Sequence, residues 1–351
     1  MKREVELFVV KVSAPFIDLD NIVAPKSDLE WNEAVFFASK QKIIPLFVQG
    51  CRKYSLKIPS EAMELLEESF RKYRNRWLSR LKVVEDLLEL SEKYDLQLIV
   101  FKTLKPFLYD PDDVDILVLD AQDMDILVRE LKKRGFVLLK RGTLEITFRK
   151  IYPKTYVDLD IHRELSIGYL SLFDRDTIKR ETVYKIVDVD DRSIRVPTLS
   201  DKLEIVREAA YTLLKDFSLL PSSFYTGIYA LKDASFNMIE SLAKKVALAS
   251  ILKLYLTSVY ITVINIFGHE CMRDILFRPP DNYIDIMRLK PPHAVPYMYH
   301  PFHIALAYSM RVLESIIDNR KFNVVWQVLR QPSAKGVSLI IQYLENLITG
   351  R

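Results

Sequence analysis

Hydrophobic positions along this chain recur with two different periods, and the change of period marks its organisation. Residues 4–12 alternate apolar and polar positions and predict a short strand, and 13–27 read as irregular. Ser27-Asp28-Leu29-Glu30 has the spacing in which a hydroxyl and a carboxylate cap the free amides of a helix start, so a helix is expected through Trp31 to Ser39. Helical spacing continues through Ile43–Tyr54, and after Pro59 a long helix is predicted from Ala62 to about Tyr94. Within it Trp77, Leu81, Val84 and Leu88 fall at 4-3-4 spacing, which gathers them on one buried stripe.

Between residues 97 and 162 the period shortens. Leu98–Phe101 and Val114–Leu119 are apolar runs of strand length, Asp123–Arg134 reads as a helix stopped by Gly135, and three strand-like runs follow at Phe136–Lys140, Leu144–Ile151 and Tyr156–Arg163. The hairpin-length links among these last three exclude parallel crossovers there. A further strand pair is expected over 183–197, and Asp201-Lys202-Leu203-Glu204 opens a helix. From that point to Arg351 the pattern is helical. The exception is a passage between Phe277 and Pro301 that holds six of the chain's 16 prolines and is expected to carry no regular structure. The fold class that follows is α+β: a small mixed or antiparallel sheet core over residues 96–198, an N-terminal strand and helical region over 1–95, and a C-terminal helical domain over 199–351.

Composition narrows the chemistry. A chain of 351 residues with 49% hydrophobic and 28% charged residues can bury more than one core. Only 8 glycines are present, and neither the P-loop nor the dinucleotide fingerprint occurs. A net charge of +4 permits an anionic ligand without demanding nucleic acid. Cys51 and Cys271, the two cysteines, lie far apart, which fits a reducing compartment, and the N-terminus lacks a signal-peptide core, so a cytoplasmic protein is expected. Val246–Phe267 is long enough to reach the roughly 20 residues that span a bilayer, but Lys253 near its middle and Lys244-Lys245 ahead of it fit a buried helix better, and no membrane span is expected.

The candidate chemistry sits where the second apolar run begins. Asp113 and Asp115 are two apart on a predicted strand, so both carboxylates leave the same face, and their repulsion calls for a divalent cation. Asp158, Asp160 and His162 share one face of a later strand. A third carboxylate brought beside the pair would make an oxygen-rich site suited to Mg²⁺ or Mn²⁺, of the kind that clamps a triphosphate and activates a hydroxyl. Alternation alone leaves Asp158 and Asp160 equivalent as that third acid.

An apolar strand, a short turn and an acid-x-acid strand resemble the nucleotidyltransferase superfamily with the DNA polymerase β fold. The chain is most similar to the uncharacterised prokaryotic nucleotidyltransferase family that reads Lys-Gly before the spacer, Asp-Ile-Asp-Leu-Leu-Val after it and Asp-Leu-His on a later strand. Here these are Lys102-Thr103, Asp113-Val114-Asp115-Ile116-Leu117-Val118 and Asp160-Ile161-His162, with nine residues between Thr103 and Asp113. The resemblance covers about residues 30–215 and implies transfer of a nucleoside monophosphate from an NTP to an acceptor hydroxyl on RNA, protein or a small molecule. It implies Asp113 and Asp115 as metal ligands, the backbone around Lys102-Thr103 as the triphosphate contact with the Lys102 charge stabilising the phosphates, and Asp160, through its spacing to His162, as the third ligand that helps deprotonate the acceptor. Thr103 stands where the family has Gly, and the family's Arg shortly before the acid pair is absent. The competing reading is a catalytically inactive protein of the same fold that binds a partner or nucleic acid.

Weaker signals point elsewhere. His269-Glu270-Cys271 with His300 and His303 offers four soft zinc ligands, against the commoner structural role of histidine. Arg71-Lys72-Tyr73-Arg74-Asn75-Arg76-Trp77 interleaves bases and rings as an RNA-contacting helix does, though arginines on the solvated face of a helix explain it as well. Lys132-Lys133-Arg134 and Lys140-Arg141 flank a predicted strand near the acids and could draw in polyphosphate.

Overall fold

The computed structural model describes residues 2–317, apart from 143, 154, 168–169, 190–191, 234–235 and 273–274. Four helices come first: α1 (Arg3–Val12), α2 (Asp28–Lys40), α3 (Ile44–Lys53) and the long α4 (Ser60–Tyr94). Strands β1 (Leu98–Phe101) and β2 (Asp113–Val118) lead to α5 (Ala121–Lys133), followed by β3 (Val137–Arg141), β4 (Glu145–Tyr152), β5 (Thr155–His162), and the short β6 (Ser166–Ile167) and β7 (Leu170–Ser171). Next come α6 (Arg175–Arg180), β8 (Thr182–Val189), β9 (Arg192–Leu199), α7 (Asp201–Leu214) and β10 (Ser218–Leu219). The described chain ends through α8 (Pro221–Lys232), α9 (Phe236–Lys245), α10 (Ala249–Phe267), α11 (Asp281–Arg288), β11 (Tyr297–Met298) and α12 (Pro301–Ile317). The helical reading beyond residue 317 falls outside the described residues.

Two compact units emerge, and they interleave along the chain. One comprises Met1–Met63, Ser166–Leu172 and Ile205–Arg351; the other comprises Glu64–Leu165 and Phe173–Glu204. The three consecutive segments expected from sequence differ from this division because hydrophobic period reports local structure, while a unit is defined by contacts, and its borders fall inside α4 and α7.

The second unit carries a seven-stranded mixed sheet in the order β3-β4-β5-β2-β1-β9-β8. Neighbouring hairpins make β3, β4 and β5 antiparallel, as do β1 with β2 and β8 with β9. Two long-range pairings, β2 with β5 and β1 with β9, are parallel. This is an α+β architecture. One sheet face supplies Val100, Val114, Ile116, Phe148, Leu159 and Ile161 to a core completed by Val84 and Leu87 of α4 and by Leu127 and Leu131 of α5. Alternation along each strand then commits the neighbouring residues, Asp113, Asp115, Asp158, Asp160 and His162, to the other face. Within α4 the predicted stripe holds: Leu81 and Val84 are buried, and Trp77 and Leu88 pack against the same core.

Two local expectations are corrected. Residues 4–12 form a helix rather than a strand: Val5, Phe8, Val9 and Val12 are buried at 3-1-3 spacing, one helical face, with Glu4 and Glu6 in the first turn and Lys11 in the last, the charge order a helix dipole favours. In the proline-rich passage Asp281–Arg288 is helical, because Pro279 and Pro280 precede its first turn and Pro291 and Pro292 follow its last, positions where proline is tolerated. The capping pattern at residue 27 is realised, with the Glu30 amide donating to Ser27 Oγ at 3.3 Å, although the Glu30 carboxylate reaches back to the Lys26 amide rather than to that of Ser27. Helix α10 is long and apolar enough to cross a membrane by length and composition, and 61% of that stretch is buried within the fold, as in a core helix.

Candidate metal and acid site

Strand register decides which carboxylates meet. The parallel pairing of β2 and β5 aligns Asp113 with Asp158, Asp115 with Asp160 and Leu117 with His162. Asp115, Asp160 and His162 each offer a ligand atom within 4.8 Å of the others, the one such convergence of His, Cys, Asp or Glu side chains among the described residues. The His269–Cys271 and His300/His303 groups form no joint cluster of that kind; His303 Nε2 instead meets the carbonyl of Ile286 at 3.1 Å.

The two acids of β5 that alternation left equivalent have different partners. Asp158 is gripped by Arg149 of β4 in a two-pronged pair, with Nε to Oδ1 at 2.7 Å and Nη2 to Oδ2 at 2.8 Å, and the guanidinium lies 3.9 Å from the centre of the Tyr156 ring. Its charge is already answered. Asp160 has a buried Oδ1 with no hydrogen-bond partner. Burial pushes its carboxyl up from the ordinary value, a hydrogen bond from Thr147 pulls it down, and the negative charge of Asp115 raises it again.

Asp115 is the most enclosed member, at 1% exposure. Lys102 Nζ donates to its Oδ1 at 2.7 Å, and His162 Nε2 donates to the same oxygen at 3.0 Å. Burial alone would raise Asp115, but these two partners overcome it and hold the carboxyl well below the usual range. Asp113 moves the opposite way: burial first, then the charge of Asp115, push it up. The ring of Phe101, edge-on to His162 at 5.1 Å, closes the apolar side of the cluster.

The turn after β1 is unusual for its residue types. Lys102 has φ of 59°, the left-handed region that costs an L residue about 1–2 kcal/mol. The Thr103 amide donates to the Phe101 carbonyl at 2.7 Å, a γ-turn about Lys102. Thr103 lies outside the left-handed region, so a threonine fits without strain where the family pattern has glycine. Its hydroxyl donates to the Phe101 carbonyl at 3.2 Å and accepts from the Asp115 amide at 3.3 Å, tying the turn to the acid strand. The Lys102 amide is taken by Glu204 Oε1 at 2.9 Å. Both amides expected to meet a triphosphate are therefore engaged by the protein itself.

Two arginines that no motif assigned to this loop hold the spacer. Asp110, 5% exposed, is bonded by Arg76 and by Arg80 Nη1 (2.8 Å), both from α4, and Arg80 Nη2 also reaches the Asp112 carbonyl at 3.3 Å. Arg76 belongs to the basic and aromatic stretch considered for RNA, and its head is directed at the loop that leads into Asp113. The signal for this pair was their spacing, i and i+4 on a helix, beside an otherwise unexplained Asp110. Of the basic run at the end of α5, Lys133 pairs with Glu130 (2.8 Å), and Arg134 with Asp86 (3.1 Å) and Glu89 (2.9 Å).

The donor set fits a hard divalent cation. Asp160 carries an unpartnered buried oxygen, Asp113 is a carboxyl that burial and the charge of Asp115 raise against the pull of Lys102, and His162 stands on the same face. Against protein-family models and against curated proteins, the chain matches none.

Proposed function

We propose that the chain is a metal-dependent nucleotidyltransferase that moves a nucleoside monophosphate from an NTP to an acceptor hydroxyl, on RNA, protein or a small molecule. The observation that carries this reading is the register of β2 on β5, which sets Asp115 beside Asp160 while Asp160 Oδ1 stays buried and unpartnered. Asp113, Asp115 and Asp160 would hold Mg²⁺ or Mn²⁺, with His162 beside them. A bound divalent ion supplies charge neutralisation at the phosphates and makes a nearby hydroxyl easier to deprotonate. The protein's own groups do the rest. The Lys102 ammonium is set to follow negative charge that develops on the phosphates. Asp160, with its buried and unpartnered Oδ1, would help take the proton of the acceptor hydroxyl. In the step itself the acceptor oxygen bonds to the α-phosphorus, the bond to the pyrophosphate oxygen breaks, and the hydroxyl proton passes to Asp160.

A second reading, a silent member of the same fold, draws on three contacts of the turn after β1. The Lys102 ammonium at 2.7 Å from Asp115 already neutralises the central acid, and the Lys102 and Thr103 amides have internal partners. Incubating the full chain with each labelled NTP, Mg²⁺ or Mn²⁺, and candidate RNAs or lysate separates the two. Transfer with pyrophosphate release that falls at least about 100-fold in Asp113→Asn and Asp115→Asn is expected of the first reading. Neither transfer nor NTP binding under any of these conditions would sink it in favour of the second.

A further inference from the structure

Of the six non-glycine residues with positive φ among those described, Lys42, Ser55, Asp95 and Ala247 each come just after a helix, where such a conformation is the ordinary stop, and Phe217 lies in the short link between α7 and β10. Lys102 comes directly after a strand and has no helix end to excuse it. A contact from outside the turn helps to hold its backbone. Glu204, in the first turn of α7, accepts from the Lys102 amide at 2.9 Å. A carboxylate there is favoured twice, by the charge-assisted bond and by the helix N-terminus it occupies. That terminus is itself secured: the Leu203 amide donates to Ser200 Oγ at 3.3 Å, and the Ser200 hydroxyl donates to Glu181 at 2.7 Å. A second tie runs from the same turn through Lys185, which pairs with Asp201 at 2.7 Å and reaches the Leu104 carbonyl at 3.4 Å.

We infer that Glu204 is a positioning residue of this site: by holding the Lys102 amide it fixes the left-handed turn that delivers the Lys102 ammonium to Asp115. The chain of contacts runs from α7 to the Lys102 backbone, and from the Lys102 side chain to the central acid. The inference rests on the nucleotidyltransferase reading only for what the ammonium is used for; the geometry stands apart from it. Helix α7 thereby becomes part of the site although it contributes no group to the acid cluster.

The test follows Lys102 itself in the full-length protein. Amine labelling by reductive methylation is timed at each lysine by mass spectrometry, alongside hydrogen exchange of the segment spanning residues 98–104, in the wild type, Glu204→Ala and Glu204→Gln. Loss of one such hydrogen bond is expected to speed Lys102 labelling and local exchange by about five-fold in Glu204→Ala. Glu204→Gln, whose side-chain oxygen still accepts from the amide, is expected to stay within about two-fold of wild type, and the remaining lysines are expected not to move. Unchanged labelling in Glu204→Ala, a glutamine variant that behaves like alanine, or a uniform rise at all lysines would each overturn the inference. Binding of ATP by the same samples is scored separately. A wild type that binds no ATP counts against the nucleotidyltransferase reading, while the labelling result still decides the role of Glu204.

Discussion

Asp113 and Asp115 leave one strand on the same face, yet their surroundings drive them apart. Asp115 has Lys102 and His162 to hold its charge; Asp113 has burial and the charge of its neighbour against it. The signs of their effects on stability are opposite. A carboxyl raised in the fold ionises first in the unfolded chain, so its penalty is absent at low pH and grows as pH climbs from the ordinary carboxylate value towards the raised one. A lowered carboxyl stabilises the fold above its unfolded value and loses that contribution as pH falls. Asp113→Asn is therefore expected to raise the melting temperature at neutral and alkaline pH, by about 1 kcal/mol or 2–4 °C, with the gain vanishing near pH 3. Asp115→Asn is expected to lower it at pH 7 and to converge on wild type in acid. Thermal scans without and with Mn²⁺ read both; an Asp113→Asn variant no more stable than wild type at any pH would contradict this account of the pair.

At the scale of elements, the spacer between β1 and β2 is fastened at both ends. Glu204 and Thr103 secure its start, and Arg76 and Arg80 secure its end through Asp110 and the Asp112 carbonyl. Arg80 is 4% exposed, so removal of Asp110 would leave a buried guanidinium without its counter-charge. Asp110→Ala is expected to cost about 3–5 kcal/mol in urea unfolding, while replacing both partners, Asp110→Leu with Arg80→Met, is expected to recover most of that loss. A double variant as unstable as the single one would show that the pair is not what matters there. Arg76, at 37% side-chain exposure, contributes less, since water screens its half of the cluster. Much at this scale was legible beforehand. Strands β1 to β5, the stripe on α4 and the cap at Ser27 follow from period and capping chemistry. Helix α1 was not, because ten residues with five buried positions satisfy a strand pattern nearly as well as a helical one until their packing partners are known.

The molecule as a whole carries two cores whose segments alternate along the chain. One point in the first unit is unusually tight: a Cβ on Gly50 of α3 would lie 1.9 Å from the backbone oxygen of Val12 at the end of α1. That oxygen cannot swing away as a side chain does, so glycine is required by the close approach of the two helices. Gly50→Ala is expected to destabilise by several kcal/mol, about the size of a severe overpacking change, and hydrogen exchange should rise first in residues 3–53 rather than in strands β1–β5. Equal loss of protection in the sheet would mean that the two cores do not respond separately.

What the sequence determined by itself is what depends on neighbours within a few residues. The strand and helix periods, the common face of Asp113 and Asp115, the shared face of Asp158, Asp160 and His162, and the break at Gly135 are all set by backbone geometry that any reader of the pattern can apply. Tertiary structure alone decided the rest. The register that puts Asp115 beside Asp160, the arginine that claims Asp158, the arginines of α4 on Asp110 and the reach of Glu204 to Lys102 join residues from 9 to 102 positions apart. Those pairings come from burying one sheet face against α4 and α5, a balance over the whole core that no local period encodes.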